Sequence, residues 1–238
     1  SSHCHRLKTT LLSIYEPLAP ITVFRFPGPL YAITPDTPDT PHLLALAEAA
    51  LEAGVPLLQY RDKLSPMPEK LDRARALVTL CHTHGARLIM NDDVVLAVAC
   101  GADGVHLGGT DGSVRDARRL LPPDTIVGAS CYNDVSLARQ ALANGASYVA
   151  FGACFDSPTK PAAQRVTPAQ LANFRKALGD RTAICGIGGI TQDNVSQLSG
   201  LVDAVALISE LFGTTEQAAT PEHVRERVRQ FLIEPANA

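Results

Sequence analysis

The stretch RLIMNDDVVLAVACGADGVHLGGTD, Arg87 to Asp111, holds two short apolar runs that each stop in polar residues. RLIM (87–90) ends at Asn91, Asp92 and Asp93, and GVHL (104–107) ends at Gly108, Gly109, Thr110 and Asp111. Both runs have strand length, and the segment between them reads as helix, so the stretch is one β–α–β unit with parallel strands. Carboxylates just beyond two consecutive strand ends repel each other unless a cation stands between them. Where the strand ends go therefore decides what they do.

The same grammar repeats from Gly28 onward. Strand-like runs occur at 30–34 (LYAIT), 56–60 (PLLQY), 87–90, 104–107, 125–130 (TIVGAS), 148–152 (YVAFG), 183–187 (AICGI) and 204–208 (AVALI). Helical segments separate them. In SPMPEKLDRARALVTLCHTHG, Ser65 is the expected cap, Pro66 suits the first turn, Leu71, Ala74, Val78 and Cys81 share a face, and Gly85 closes the helix. Thr167 and Gln170 have capping-box spacing around Pro168, and Asn133 opens a helix whose apolar stripe is Leu137, Ala138, Ala141 and Leu142. Strands apolar on both faces, alternating with helices eight times, fit a (β/α)8 TIM barrel, an α/β fold. A doubly wound open sheet is the competing arrangement. The expected division is a short N-terminal extension, 1–28, before a single barrel domain, 29–238.

In a barrel every strand's carboxyl end opens on one face, where active sites lie. Gln59, Arg61 and Lys63 would then share one side of strand two, because alternate residues of an extended chain point the same way. Cations aimed into a mouth are costly to desolvate without an anion; pairing with Asp62 or the neighbouring aspartates is the plainer alternative. Asp92 and Asp111 stand at adjacent strand ends, close enough to share a hard divalent cation such as magnesium or manganese. Capping of the following helix is the alternative, and for Asp93 it is the expected role. FDSPTKPAAQR (155–165) offers hydroxyls and a lysine without Walker spacing, and GIGGI (186–190) and LISEL (207–211) offer glycine turns and a helix start. His106 reads as a packed barrel histidine. Cys131 and Cys154 are given no chemistry.

Composition narrows the classes. The chain has 238 residues, 46% hydrophobic and 19% charged, with a formal net charge of −3 and no basic run, which argues against nucleic acid as a partner. No apolar segment approaches the roughly 20 residues that span a bilayer, so no membrane role is expected. Six cysteines without a CxxC pair give no zinc spacing, and a reduced, cytoplasmic protein is expected. A homo-oligomer is compatible with everything in the sequence.

Taken in order, LYAITPD, LLQYRDK, MNDDVVLAVACGADGVHLG, GASCY, FDSPTKP, GIGGI and VALIS resemble the thiamine-phosphate synthase family, from about Leu30 to Phe212. The resemblance implies a (β/α)8 enzyme that joins a hydroxymethylpyrimidine diphosphate to a thiazole phosphate, releasing pyrophosphate. Carbon dioxide is also released when the thiazole is carboxylated. It implies that Gln59, Tyr60, Arg61, Asp62 and Lys63, with Asn91, Ser130 and Lys160, hold the pyrimidine diphosphate. Asp92 and Asp111 would bind one magnesium ion. Ser157, Pro158 and Thr159, with Gly189, Ile208 and Ser209, would receive the thiazole phosphate, and Arg61, Lys63, Ser130 and Lys160 would be catalytic. Three departures stand out: Asp156 replaces a frequent proline and adds negative charge beside a phosphate loop, GGTD replaces a frequent GQED, and the N-terminal extension has no counterpart. A thiazole tautomerase of the same barrel type and a non-catalytic thiamine-precursor binding barrel are the alternatives.

Overall fold

The structure is a computed structural model that describes residues 23–108, 113–157 and 164–233. Its strands are β1 (Leu30–Ile33), β2 (Leu57–Tyr60), β3 (Arg87–Asn91), β4 (Gly104–Leu107), β5 (Ile126–Tyr132), β6 (Tyr148–Phe151), β7 (Ile184–Ile187) and β8 (Ala204–Leu207). They pair in sequence order, all parallel, and β8 closes onto β1. The open-sheet alternative is thereby removed. The helices are α1 (Thr40–Glu52), α2 (Met67–Thr83), α3 (Val94–Cys100), α4 (Val114–Leu120), α5 (Val135–Ala143), α6 (Pro168–Leu178), α7 (Ser209–Phe212) and α8 (Pro221–Ile233), with a 3-10 turn at Val195–Leu198 between β7 and β8. Among the described residues no helix is long and apolar enough to cross a membrane.

The period of two along each strand sorts side chains between two cores. Leu30, Ala32, Leu58, Tyr60, Val127 and Val149 face the helix layer. Tyr31, Ile33, Leu57, Ile126 and Tyr148 fill the barrel. Space inside is limited. A Cβ on Gly128 would stand 2.1 Å from the Tyr148 ring, so glycine there makes room for that tyrosine.

Local signals place the helix starts with two shifts. Thr167 and Gln170 form the expected capping box, and Asp93 caps α3 by accepting from the Leu96 N–H at 2.8 Å. Ser65 does not cap α2. Pro66 takes that position, and the Ser65 N–H goes instead to Asp62 at 2.9 Å. Asn133 is likewise replaced by Asp134, because β5 runs on to Tyr132 through an irregularity after Ser130 and a turn from Cys131 must follow. The same shift leaves Leu137 38% exposed rather than in the apolar stripe.

The segment ahead of β1 packs with the barrel. The Phe24 and Phe26 rings lie 5.9 and 5.0 Å from the Tyr148 ring, and Phe26 lies 6.3 Å from Tyr31. Tyr148 opens β6, so these rings cover the amino-terminal end of the barrel, away from the strand carboxyl ends. Phe26→Ala should cost about 2 kcal/mol, below the ~3–5 kcal/mol of a fully buried phenylalanine because Phe26 is only partly buried. Urea unfolding would read it as a lower midpoint at unchanged slope; an unchanged midpoint would mean the rings merely rest on the barrel.

Candidate active site

Beyond β2 the alternation continues into the loop and divides the residues expected there. Gln59 is buried in the barrel and its Nε2 donates to the Tyr31 hydroxyl at 2.9 Å. Arg61 and Lys63 follow on the mouth side. Arg61 Nη1 donates to Asp36 at 3.1 Å, the Lys63 N–H donates to the same carboxylate at 2.9 Å, and Lys63 Nζ is paired with Asp92. Tyr60 and Asp62, expected with the substrate-binding set, turn the other way, as every second residue of a strand must. The Tyr60 hydroxyl donates to Asp62 at 2.7 Å, and Asp62 also accepts from the Leu64 N–H at 2.9 Å and from Arg73 at 3.3 Å. Burial alone would raise the Asp62 pKa. Donors from Ser65, Tyr60 and Leu64 outweigh it and hold the carboxyl well below its ordinary range.

Arg73 completes that frame. It is 1% exposed, and its guanidinium donates to the Thr40 hydroxyl at 2.9 Å, to the Thr37 and Pro38 carbonyls at 2.7 and 2.9 Å, and to Glu69 at 3.1 Å. The loops after β1 and β2 are thus tied to α2. The mouth cations sit on a fixed platform.

Asn91 and Asp92 end β3. The Asp92 N–H donates to the His106 carbonyl of β4 at 2.8 Å, and Asp92 adopts φ 67°. The His106 side chain points into the barrel, as expected of a packed histidine, but it is connected. Its Nδ1 lies 2.8 Å from the Tyr148 hydroxyl and its Nε2 lies 2.8 Å from Ser130 Oγ at the end of β5. Burial holds its pKa down at about 4, against a smaller upward pull from Asp92. The imidazole is neutral at pH 7 and both nitrogens are engaged. Burial also pushes the Cys131 and Cys154 thiols up to about 12 and about 11, which leaves them unreactive as nucleophiles.

On the other side, the loops after β6 and β7 interlock. The Cys154 and Phe155 N–H groups donate to the Ile187 and Gly188 carbonyls at 2.9 and 3.0 Å. Gly189 has φ +63°, and a Cβ there would lie 2.5 Å from the Phe155 and Asp156 carbonyl oxygens, so only glycine allows this approach. Ser157 extends from this junction, and the Ile208–Ser209 turn starts the short α7. Asp156 is not an isolated charge beside the loop: Arg165 pairs with it and also donates to the Cys154 carbonyl at 3.0 Å. Asp111, Pro158, Thr159 and Lys160 lie outside the described residues.

The thiamine monophosphate synthase family model matches residues 30–211, the span that holds every described group above. The chain belongs to that family. A thiamine-phosphate synthase from Methylobacillus flagellatus is 49% identical over 203 residues, covering 85% of this chain and 92% of that protein. One from Thiobacillus denitrificans is 48% identical over 211 residues, covering 88% and 98%. Among solved structures, a thiamine phosphate pyrophosphorylase from Pyrococcus furiosus superposes with a TM-score of 0.70 at 29% identity, covering 86% of this chain and 96% of that one. Within the synthase family frame, reading the residues one by one missed Asp36, Arg73, Tyr31 and Tyr148. Asp36 had a usable signal, since it lies just after β1 as Asp92 lies just after β3.

Proposed function

We propose that this chain is a thiamine-phosphate synthase that joins 4-amino-2-methyl-5-(diphosphooxymethyl)pyrimidine to a thiazole ethyl phosphate. The observation that carries this is the pair of cations held by carboxylates at the β2 and β3 ends, Arg61 on Asp36 and Lys63 on Asp92, beside Asn91, in a family whose members bear that name. Arg61, Lys63 and Ser130, with Lys160, hold the diphosphate; Gln59 and Asn91 hold the pyrimidine portion. Ser157, Thr159, Gly189 and the Ile208–Ser209 turn take the thiazole phosphate. The carbon–oxygen bond to the pyrimidine methylene breaks, the electron pair leaves with pyrophosphate, and the thiazole nitrogen lone pair forms the new carbon–nitrogen bond. With the carboxylated thiazole, carbon dioxide leaves as well. The attacking nitrogen has no proton to lose, so no general base is needed. That agrees with an imidazole whose two nitrogens are both engaged inside the barrel.

Asp92 is the described half of a two-carboxylate magnesium site, with Asp111 as the other half; bound magnesium would neutralise charge on the departing diphosphate. Lys63 is paired with Asp92 in the present structure and would turn to the diphosphate when the metal binds. Asp92→Ala should therefore raise the magnesium concentration for half-maximal rate about tenfold, a loss moderated because Lys63 is released toward the same anion. An unchanged magnesium requirement would remove Asp92 from the site. Residues 29–238 act as one catalytic unit, in the reducing cytoplasm.

A tautomerase moves protons on the thiazole alone, and a binding barrel has no use for cations that strengthen on bond cleavage. Mixing both substrates with magnesium distinguishes them: thiamine phosphate and equimolar pyrophosphate are expected. Thiazole isomerisation without pyrophosphate, or binding without turnover, would overturn the synthase.

A further inference from the structure

Four hydrogen bonds cross the barrel interior in series. Gln59 Nε2 donates to the Tyr31 hydroxyl at 2.9 Å, and the Tyr31 and Tyr148 oxygens are 2.8 Å apart. The Tyr148 oxygen is 2.8 Å from His106 Nδ1, and His106 Nε2 is 2.8 Å from Ser130 Oγ. The chain begins and ends on residues of the mouth. Between them Tyr31 and Tyr148 are buried and His106 is partly buried, and none of the three belongs to the assigned site.

We propose that Tyr31, Tyr148 and His106 are positioning residues of a one-way hydrogen-bond chain, directed by Gln59, that holds Ser130 as a donor toward the bound anion. The direction follows from counting hydrogens. An amide NH2 only donates, so Tyr31 accepts from Gln59 and keeps its own hydrogen for Tyr148. The reverse orientation between the tyrosines would leave the Tyr31 hydrogen without an acceptor in this chain, in a residue 1% exposed. Such a buried orphan is disfavoured. Tyr148 must then donate to Nδ1, the neutral imidazole carries its single hydrogen on Nε2, and Nε2 donates to Ser130. The Ser130 hydroxyl already accepts from inside, so its hydrogen is directed outward. Phosphate oxygens only accept at neutral pH, and a serine fixed in this sense matches them without reorganisation.

This rests on the assignment of Gln59 and Ser130 to the substrate site, but the direction of the chain is testable without substrate. Nitrogen-15 NMR of the ligand-free full chain should find His106 as the Nε2–H tautomer. Gln59→Glu, in alkaline buffer where the carboxylate is ionised, turns the head of the chain from donor to acceptor. Every bond should then reverse and His106 should become the Nδ1–H tautomer. Nδ1–H in the natural chain, or one tautomer in both, overturns the proposal; if the variant fails to fold, the natural chain's tautomer decides alone. A kinetic arm separates positioning from packing. Tyr148→Phe should slow coupling about 10-fold in the natural background and less than about 2-fold in the Ser130→Ala background, because both changes remove the same donor. Equal losses in the two backgrounds would reduce Tyr148 to core packing and refute the link to Ser130. Failure of the natural chain to form thiamine phosphate would sink the synthase assignment while leaving the tautomer result standing.

Discussion

Arg61→Ala is expected to slow thiamine phosphate formation about 100-fold while leaving thiazole phosphate binding nearly unchanged. The diphosphate gains charge as its bond to carbon breaks, so a guanidinium beside it attracts the transition state more than the bound substrate. Interactions of that kind appear in kcat when removed, and one preorganised donor is worth roughly 10²-fold. The structure adds a second reason. Arg61 is held by Asp36 at 3.1 Å, and Asp36 keeps its hold on the Lys63 backbone after Arg61 is lost. The variant therefore presents a carboxylate that the guanidinium no longer offsets, directly beside the departing anion. Adding Asp36→Asn to Arg61→Ala should recover part of the rate, which simple loss of a contact would not predict. Pyrophosphate release gives kcat, and calorimetry gives thiazole phosphate affinity. A matching loss of that affinity would show that the mouth is one anion site and not two.

The strands were legible because parallel strands buried on both faces leave continuous apolar runs, and each run ends where the polar mouth begins. The period of two that aligned Gln59, Arg61 and Lys63 also sends Tyr60 and Asp62 outward; they entered the substrate-binding set only through the quoted motif. Caps were legible to within one residue. Ser65 and Asn133 are good capping types, but Asp62 claims one backbone N–H and the irregular end of β5 displaces the other helix start. The interior chain was not legible. Tyr31, His106 and Tyr148 lie on different strands, and what joins them is the closed register of the barrel, with Gly128 opening the space. Nor was the neutralisation of Asp156, which needs Arg165 beside it in space.

Arg73 was the least legible of all, and its replacement should have the largest effect on stability. In KLDRARALV it reads as one more helix-surface charge, yet its side chain is 1% exposed, as is appropriate only when every donor is met. Arg73→Met should destabilise the fold by about 3–5 kcal/mol, the usual consequence of stranding a buried charge. At ~2–4 °C per kcal/mol for a chain of this size, melting should fall by roughly 10–15 °C. The stranded group is Asp62, whose side chain is 3% exposed, together with the Thr37 and Pro38 carbonyls. Arg73→Lys should rescue little, since one ammonium cannot span five acceptors that a planar guanidinium reaches. Asp62→Asn in the Arg73→Met background should recover more, because the uncompensated charge is then gone. Acid offers a second reading of the same pair. Asp62 has a depressed folded pKa, so its contribution is complete above the ordinary aspartate range and is lost as pH falls below about 4. In the Arg73→Met chain that acid-labile portion should persist, because the donors from Ser65, Tyr60 and Leu64 that hold the carboxyl down remain. A melting temperature within a degree or two of the natural chain would mean that the loops after β1 and β2 do not depend on Arg73. The platform under Arg61 and Lys63 would then need another explanation, because no other described side chain bonds both loops and α2 together.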